Sequence, residues 1–161
     1  MTALWRISNH CDLSGVGGER SDGRWHTAAR GKRIVYLSEH PALALIETLV
    51  NLKGDPRRFP EKYQLLELSV ENRLIEHVPI ADLRGAPLDS RGPIESTRRI
   101  GDDWLAGQSS VLLKVPSIPC PFSWNFLFNP IHPDAAAATK VESCSWIEYD
   151  KRLFRIRSSS P

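Results

Sequence analysis

Three side chains stand out by type and setting. Arg24, in Gly23-Arg24-Trp25, is a cation inside a glycine-rich polar loop, where a guanidinium fork suits a phosphate or a carboxylate. Tyr36 lies in a β-branched and aromatic run, Arg33-Ile34-Val35-Tyr36-Leu37, and its ring offers a stacking surface for a flat heterocycle. Glu47 lies in a mostly apolar helical stretch, where a carboxylate must be paired, exposed or useful. Taken singly, Arg24 reads as a solvated loop arginine and Tyr36 as a core tyrosine with its hydroxyl at the surface. Glu47 divides evenly between surface acid and site acid. Ser117, in Val115-Pro116-Ser117, could donate a hydrogen bond at a strand end, although serine after proline commonly just makes a turn. No Gly-x-Ser-x-Gly elbow surrounds it, which argues against a hydrolase nucleophile. Asn125, Asn129 and His132, within residues 125–133, read by default as a structured turn. Trp25, Trp104, Trp124 and Trp146 read as packing residues.

The elements that must position these groups follow from periodicity. Ala3 to Ser8 alternates Ala3, Trp5 and Ile7 on one face, as a half-buried strand does. Leu13 to Gly31 is a polar loop holding five of the chain's 10 glycines, so its backbone either turns tightly or lies close to something. Arg33 to Leu37 is a strand, and Ser38 and Pro41 signal the start of a helix from Pro41 to about Leu52. Ala42, Leu45, Ile46, Leu49 and Val50 form an apolar stripe on that helix, with Gly54 and Pro56 as its stop. At about 100° per residue, Glu47 falls just beyond the stripe's edge. Tyr63 to Val70 and Leu74 to Ile80 read as strands around a turn at Glu71-Asn72-Arg73. Ala81 to Ile94 reads as a long loop or irregular helix, and Ser96 to Gly107 as a short helix around Trp104-Leu105. Ser110 to Val115 is a strand ended by Pro116. Asn125 to Phe128 and Cys144 to Tyr149 are the last strands, and Ala135 to Ala138 is too short to assign.

Length and composition bound the class. At 161 residues the chain fits one domain with a real core, and 41% hydrophobic and 25% charged residues match a globular protein. Lys and Arg total 21 against 19 acidic residues, and a formal charge of +2 gives no mandate for direct nucleic-acid binding. Cys11, Cys120 and Cys144 form no C-x-x-C pair or ligand ladder, so three reduced thiols in a cytosol, and no metal, are expected. No secretory signal is visible, and no stretch approaches the roughly 18 apolar residues of a membrane span. A cytoplasmic protein is the expectation. Residues 158–161 read as a disordered tail. Periodicity and spacing alone stop at a compact mixed domain with a plausible cleft.

The ordered combination goes further. Gly23-Arg24-Trp25, Val35-Tyr36-Leu37-Ser38 and Ala42-Leu43-Ala44-Leu45-Ile46-Glu47 resemble the RES domain family. Gly101-Asp102-Asp103-Trp104-Leu105, Leu113-Lys114-Val115-Pro116-Ser117, the segment from Asn125 to Pro133 with its Asn-Pro-x-His-Pro, and Asp150-Lys151-Arg152-Leu153-Phe154 are similar to later landmarks of that family. The likeness runs from about Trp5 to Phe154. It implies an α+β single domain, ADP-ribosyltransferase-like, with a central, mostly antiparallel, split β-sheet flanked by helices. It also implies the toxin half of a toxin–antitoxin pair, with an Xre-like helix-turn-helix antitoxin as partner. One departure is local: family members commonly carry Asn after the Arg-Trp pair, whereas His26 follows here and residues 27–30 lengthen the run to Gly31.

The site the resemblance implies is Arg24, Tyr36 and Glu47, with Ser117 assisting and Asn125 completing the set that holds NAD. NAD is then the substrate. Cleaving its nicotinamide–ribose bond builds positive charge on the sugar, as glycoside hydrolysis does. Glu47 would stabilise that charge, Tyr36 would stack on nicotinamide, Arg24 would hold a phosphate, and Ser117 would bond the ribose or orient its neighbours. Water or inorganic phosphate would accept the ADP-ribose. The alternatives are a mono-ADP-ribosyltransferase acting on a protein and a non-catalytic binding module using the same cleft.

Overall fold

The structure, a computed structural model, describes residues 1–52, 62–78 and 94–154. Its strands are β1 (Thr2–Ser8), β2 (Val35–Ser38), β3 (Lys62–Val70), β4 (Ile75–His77), β5 (Leu112–Pro116), β6 (Trp124–Phe128) and β7 (Thr139–Glu148). The helices are α1 (Gly17–Arg20), α2 (Pro41–Asn51), α3 (Ile94–Gly107) and α4 (Ala135–Ala138), with 3-10 turns at Asn72–Leu74 and Lys151–Phe154. The strands form one sheet in the order β4-β5-β6-β2-β1-β3-β7. Among the described strands only β4 and β5 run parallel, and the other neighbouring pairs are antiparallel. The α+β class and the mostly antiparallel sheet match the expectation.

The join between β1 and β2 is thin, with one pair in register, Trp5 opposite Ser38. On one side of it β1 pairs with β3 over seven positions. On the other, β2 pairs with β6 over four. Two well-laddered halves therefore meet at a seam, and a seam with few ladder bonds is where side chains rather than backbone can reach between elements.

Both faces of the sheet are covered, which follows from strand alternation. Val35 and Leu37 of β2, Phe126 and Phe128 of β6 and Leu112 of β5 point into one core with Leu4, Leu66 and Leu68. Their neighbours Tyr36, Leu127, Leu113 and Val115 point into a second, with Trp25, Trp104 and Leu105. Each fully buried leucine in these clusters contributes about 2 kcal/mol of apolar burial. Two-sided burial also corrects the reading of β1: the residue sealed in the core is Leu4, while Ala3 is exposed.

Helix α2 starts as its sequence directs, with Pro41 at the first turn and the His40 side chain accepting from the Ala42 N–H at 3.2 Å. Its packed face differs from expectation. Leu43 and Ala44 are buried, whereas Ala42, Ile46 and Val50 are exposed. The segment is apolar nearly all round, so it offers two stripes, and the one chosen carries Glu47 one turn after Leu43. Helix α3 is longer than expected and buries Thr97, Gly101, Trp104 and Leu105, a spacing of four, three and one that lines one face.

Strand β7 is also longer than the expected Cys144 to Tyr149, because pairing with β3 extends through a bulge between Glu67 and Leu68. Trp146, expected to pack, is 61% exposed on this edge strand. The segment expected as a strand to Ile80 is a 3-10 turn followed by the short β4, with residues 79 and 80 outside the described residues. Gly54, Pro56, most of the expected 81–94 loop and the 158–161 tail also lie outside them. Among the described residues no helix is long and apolar enough to cross a membrane.

The expectation of three reduced thiols holds for Cys120 alone. Cys11 and Cys144, 133 residues apart with Cα atoms 6.2 Å apart, are disulfide-bonded. Sequence spacing could not show this, because the bond depends on β7 lying beside β3 and thus near the chain leaving β1. Closing so long a loop removes unfolded-state entropy worth up to about 5 kcal/mol. Oxidised protein carrying Cys11→Ser should therefore unfold at lower denaturant than its parent, and dithiothreitol should erase the difference. A parent midpoint that does not move with reductant would contradict the bond.

Candidate functional site

Glu47 reaches from α2 to the neighbouring strands β5 and β6. The Ser117 hydroxyl, at the end of β5, donates to Glu47 Oε1 at 2.8 Å, and the Asn125 amide, from β6, donates to the same oxygen. Ser117 and Asn125 are buried while Glu47 is half-buried. Ser38 fixes the amide: its hydroxyl donates to Asn125 Oδ1 at 2.8 Å. A carboxylate can only accept, so the amide nitrogen must be the atom facing Glu47. Ser117 is itself fixed, because its Oγ accepts from the Cys120 N–H at 3.2 Å and its N–H donates to the Ser123 carbonyl at 2.9 Å. Burial, together with the charge of Glu47, holds the Cys120 thiol above its ordinary pKa. Among the described residues, the carboxylate is thus held by two neutral dipoles, both on one oxygen.

Tyr36 lies two residues before Ser38 on β2, so both side chains stand on the same face of the sheet. Its hydroxyl accepts from the Trp25 N–H at 3.2 Å and lies 2.8 Å from His26 Nδ1. Burial pushes the Tyr36 pKa far up, so the hydroxyl stays protonated at any physiological pH. Arg24, half-buried, precedes Trp25 and is held to this group through that backbone N–H.

The loop around Arg24 is set by one face of α3. Thr97 donates from Oγ1 to the Arg24 carbonyl at 2.7 Å, and Arg98 donates from Nε to the Gly23 carbonyl at 2.9 Å. Asp102 Oδ1 accepts from the Thr27 N–H at 3.0 Å and from Lys32 Nζ at 2.8 Å. Burial alone would raise the Asp102 pKa; the bonds from Lys32 and Thr27 outweigh it and hold the carboxyl below its usual range. Arg98 also pairs with Asp22 at 3.3 Å. Between these contacts Gly101 touches the Trp25 backbone, and a Cβ there would overlap the Trp25 carbonyl. Gly23 is equally confined, since a Cβ would overlap the Tyr36 hydroxyl and His26.

The structure therefore joins Glu47, Ser117 and Asn125 directly, sets Tyr36 on the same face, and ties Arg24 to Tyr36 through Trp25. Sequence reasoning missed Ser38, His26 and the Thr97-Arg98-Gly101-Asp102 face. Ser38 was legible from strand alternation after Tyr36, and the α3 face from its helical spacing. Asn129 and His132 do build a turn: Asn129 Oδ1 accepts from the Ile131 N–H at 3.1 Å, and the His132 N–H donates to the Asn129 carbonyl at 3.2 Å. Trp25 and Trp104 are packed as expected. Two cavities of about 400 and 720 Å³ lie elsewhere, one beside Tyr63 and Tyr149 and one along α3 beside Glu76, Glu95 and Asp103. Neither is lined by Arg24, Tyr36 or Glu47.

Helix α3 carries an internal control for the loop clamp. Gly107, on the same helix, has open space where a Cβ would go. Gly101→Ala should cost about 1–3 kcal/mol through overpacking against Trp25, whereas Gly107→Ala should be neutral or slightly stabilising. Urea unfolding of the two variants measures this, and equal effects would refute the close approach.

A sequence model of the RES domain matches residues 3–150. "Toxin Res" of Pseudomonas putida is 41% identical over 151 residues, covering 94% of this chain and 99% of that protein. "Prs ADP-ribosylating toxin" of a Sphingobium species is 32% identical over 162 residues, covering 96% and 98%. "Toxin Res" of Yersinia enterocolitica is 33% identical over 141 residues, covering 87% and 89%. With the match running from the first strand to the end of the last, this chain belongs to the RES domain family.

Proposed function

We propose that the protein is an NAD-depleting toxin that cleaves the nicotinamide–ribose bond at the Arg24, Tyr36 and Glu47 site. The observation that carries this reading is the way Glu47 is held. Cleavage builds positive charge on the ribose, and an anion pre-placed beside it lowers the barrier. Had Lys or Arg held the carboxylate, much of its field would be cancelled. Among the described residues, Ser117 and Asn125 instead fix it with neutral donors on Oε1, which leaves its charge to act on the sugar.

The other roles follow from position. The Tyr36 ring, anchored through its hydroxyl, supplies a flat surface for nicotinamide. Arg24 takes a phosphate of NAD. Ser117 and Asn125 act first on Glu47, so the orienting role fits Ser117 better than a direct bond to ribose. Of the two cavities elsewhere, the one along α3 sets Glu76, Glu95 and Asp103 against the single Arg99, a poor match for a dinucleotide's phosphates. Water or inorganic phosphate accepts the ADP-ribose.

A second reading has its own support: the Sphingobium relative, similar over nearly the whole chain, is named as an ADP-ribosylating toxin. In that case a protein side chain accepts the ADP-ribose at the same site. The partner we propose is an Xre-like helix-turn-helix antitoxin that blocks the cleft, and the compartment is the cytoplasm, where NAD is consumed.

Purified protein incubated with NAD, with and without phosphate and with no acceptor protein, should release nicotinamide. Glu47→Gln, which keeps the acceptor oxygen for Ser117 and Asn125 but removes the charge, should lower that rate by about a hundredfold or more. Label from NAD appearing only on an added protein would select the second reading. NAD left intact under every condition would sink both.

A further inference from the structure

The buried residue after Trp25 does more than fill space. His26 is 3% exposed, and both of its ring nitrogens are engaged. Nε2 lies 3.2 Å from the Gly18 carbonyl, and a carbonyl can only accept, so Nε2 carries the hydrogen. Nδ1 lies 2.8 Å from the Tyr36 hydroxyl. With Nε2 protonated and the ring uncharged, Nδ1 must accept, and the Tyr36 O–H must donate to it. The Tyr36 oxygen accepts in turn from the Trp25 N–H. Its hydroxyl is then satisfied in both directions, and what Tyr36 offers to the cleft is its ring.

We infer that His26 is a positioning residue of the site: as the neutral Nε2–H tautomer it locks the Tyr36 hydroxyl to the glycine-rich loop and makes the placement of that ring fail in acid. This rests on the NAD-cleaving reading for its kinetic consequence and on geometry alone for the rest. The loop has no other polar side chain placed between Gly18 and Tyr36 among the described contacts. Gly23 packs so closely on the pair that a side chain there would displace it.

The acid sensitivity follows from the bonds. A proton added at Nδ1 turns the acceptor into a donor, and the Tyr36 oxygen then faces two donors, Nδ1–H and the Trp25 N–H, while its own hydrogen loses its acceptor. The charged groups around the ring come from several elements. Asp102 of α3 favours the cation and Lys32 of the following loop opposes it, and these two are paired at 2.8 Å. Arg98 of α3 and Glu47 of α2 act on Tyr36 from its other sides. The Gly18 and Ser21 backbone favours a donor on the ring. Burial is the largest influence and holds the His26 pKa below its ordinary value near 6.5. The sign is then fixed. Between that lowered pKa and about 6.5 the unfolded chain binds the proton and the folded one does not, so stability is full above about pH 6.5 and falls as the pH drops through this window.

Three variants separate the two bonds. His26→Asn can place an amide oxygen near the Nδ1 position and accept from Tyr36. His26→Gln can reach toward Gly18 but loses that acceptor, and His26→Ala loses both. Long-range 1H–15N spectra of wild-type protein at pH 7.5 should show His26 as the neutral Nε2–H tautomer. Melting temperature should fall between pH 7 and 5 more steeply in wild type than in His26→Asn. In NAD turnover, His26→Ala and His26→Gln should lose about tenfold in kcat with a smaller change in KM, the loss of one buried hydrogen bond. His26→Asn should recover most of that rate and lack the acid limb of the wild-type profile. An Nδ1–H or cationic ring at pH 7.5, or an acid limb unchanged in His26→Asn, would overturn the inference. If wild-type protein fails to consume NAD, the functional reading falls, and the spectra and the pH dependence of melting still decide His26.

Discussion

The Glu47 carboxylate sits where three distant stretches of chain meet, and its two hydrogen bonds span 70 and 78 residues of sequence. Ser117 follows β5, Asn125 begins the pairing of β6 with β2, and Glu47 arrives on α2. The Ser117 hydroxyl hydrogen and the Asn125 amide both turn to Glu47 Oε1 across the fold, and a buried polar group without a partner costs about 1–3 kcal/mol. The sheet order, the seam beside Ser38 and the choice of the Leu43-Ala44-Glu47 face on α2 are all consistent with that demand. The same arrangement leaves the acid held by dipoles, which is the condition for its charge to act on a ligand.

Helix α3 solves a different problem. The loop from Gly15 to Gly31 has little apolar content of its own, and a loop that must place a cation cannot drift. Thr97, Arg98 and Asp102 each capture a backbone group of residues 23–27, and Gly101 lets the helix lie directly on Trp25. Trp25 then enters the second core with Trp104 and Leu105. The loop is thus made rigid from outside by helix contacts and from within by the His26–Tyr36 link.

Much of this was legible from the residues. Alternation located β1, a β-branched and aromatic run located β2, and Pro41 marked the start of α2, while the expected stop at Gly54 and Pro56 lies outside the described residues. Resemblance, not periodicity, raised Arg24, Tyr36 and Glu47 above their ordinary readings, because each alone was compatible with a surface or core role. What stayed hidden depended on tertiary contact. An all-round apolar helix cannot reveal its packed face, so Ala42, Ile46 and Val50 were misplaced. Cys11 and Cys144 carry no local mark of their bond.

We propose that the nicotinamide ribose lies between the Tyr36 ring and the Glu47 carboxylate. A crystal structure of the Glu47→Gln variant with intact NAD tests it most directly. The predicted result places nicotinamide against the Tyr36 ring, the ribose C1′ beside the residue 47 side chain and a phosphate at Arg24. Ordered NAD in another part of the molecule, such as the groove beside Glu76 and Asp103, would contradict it.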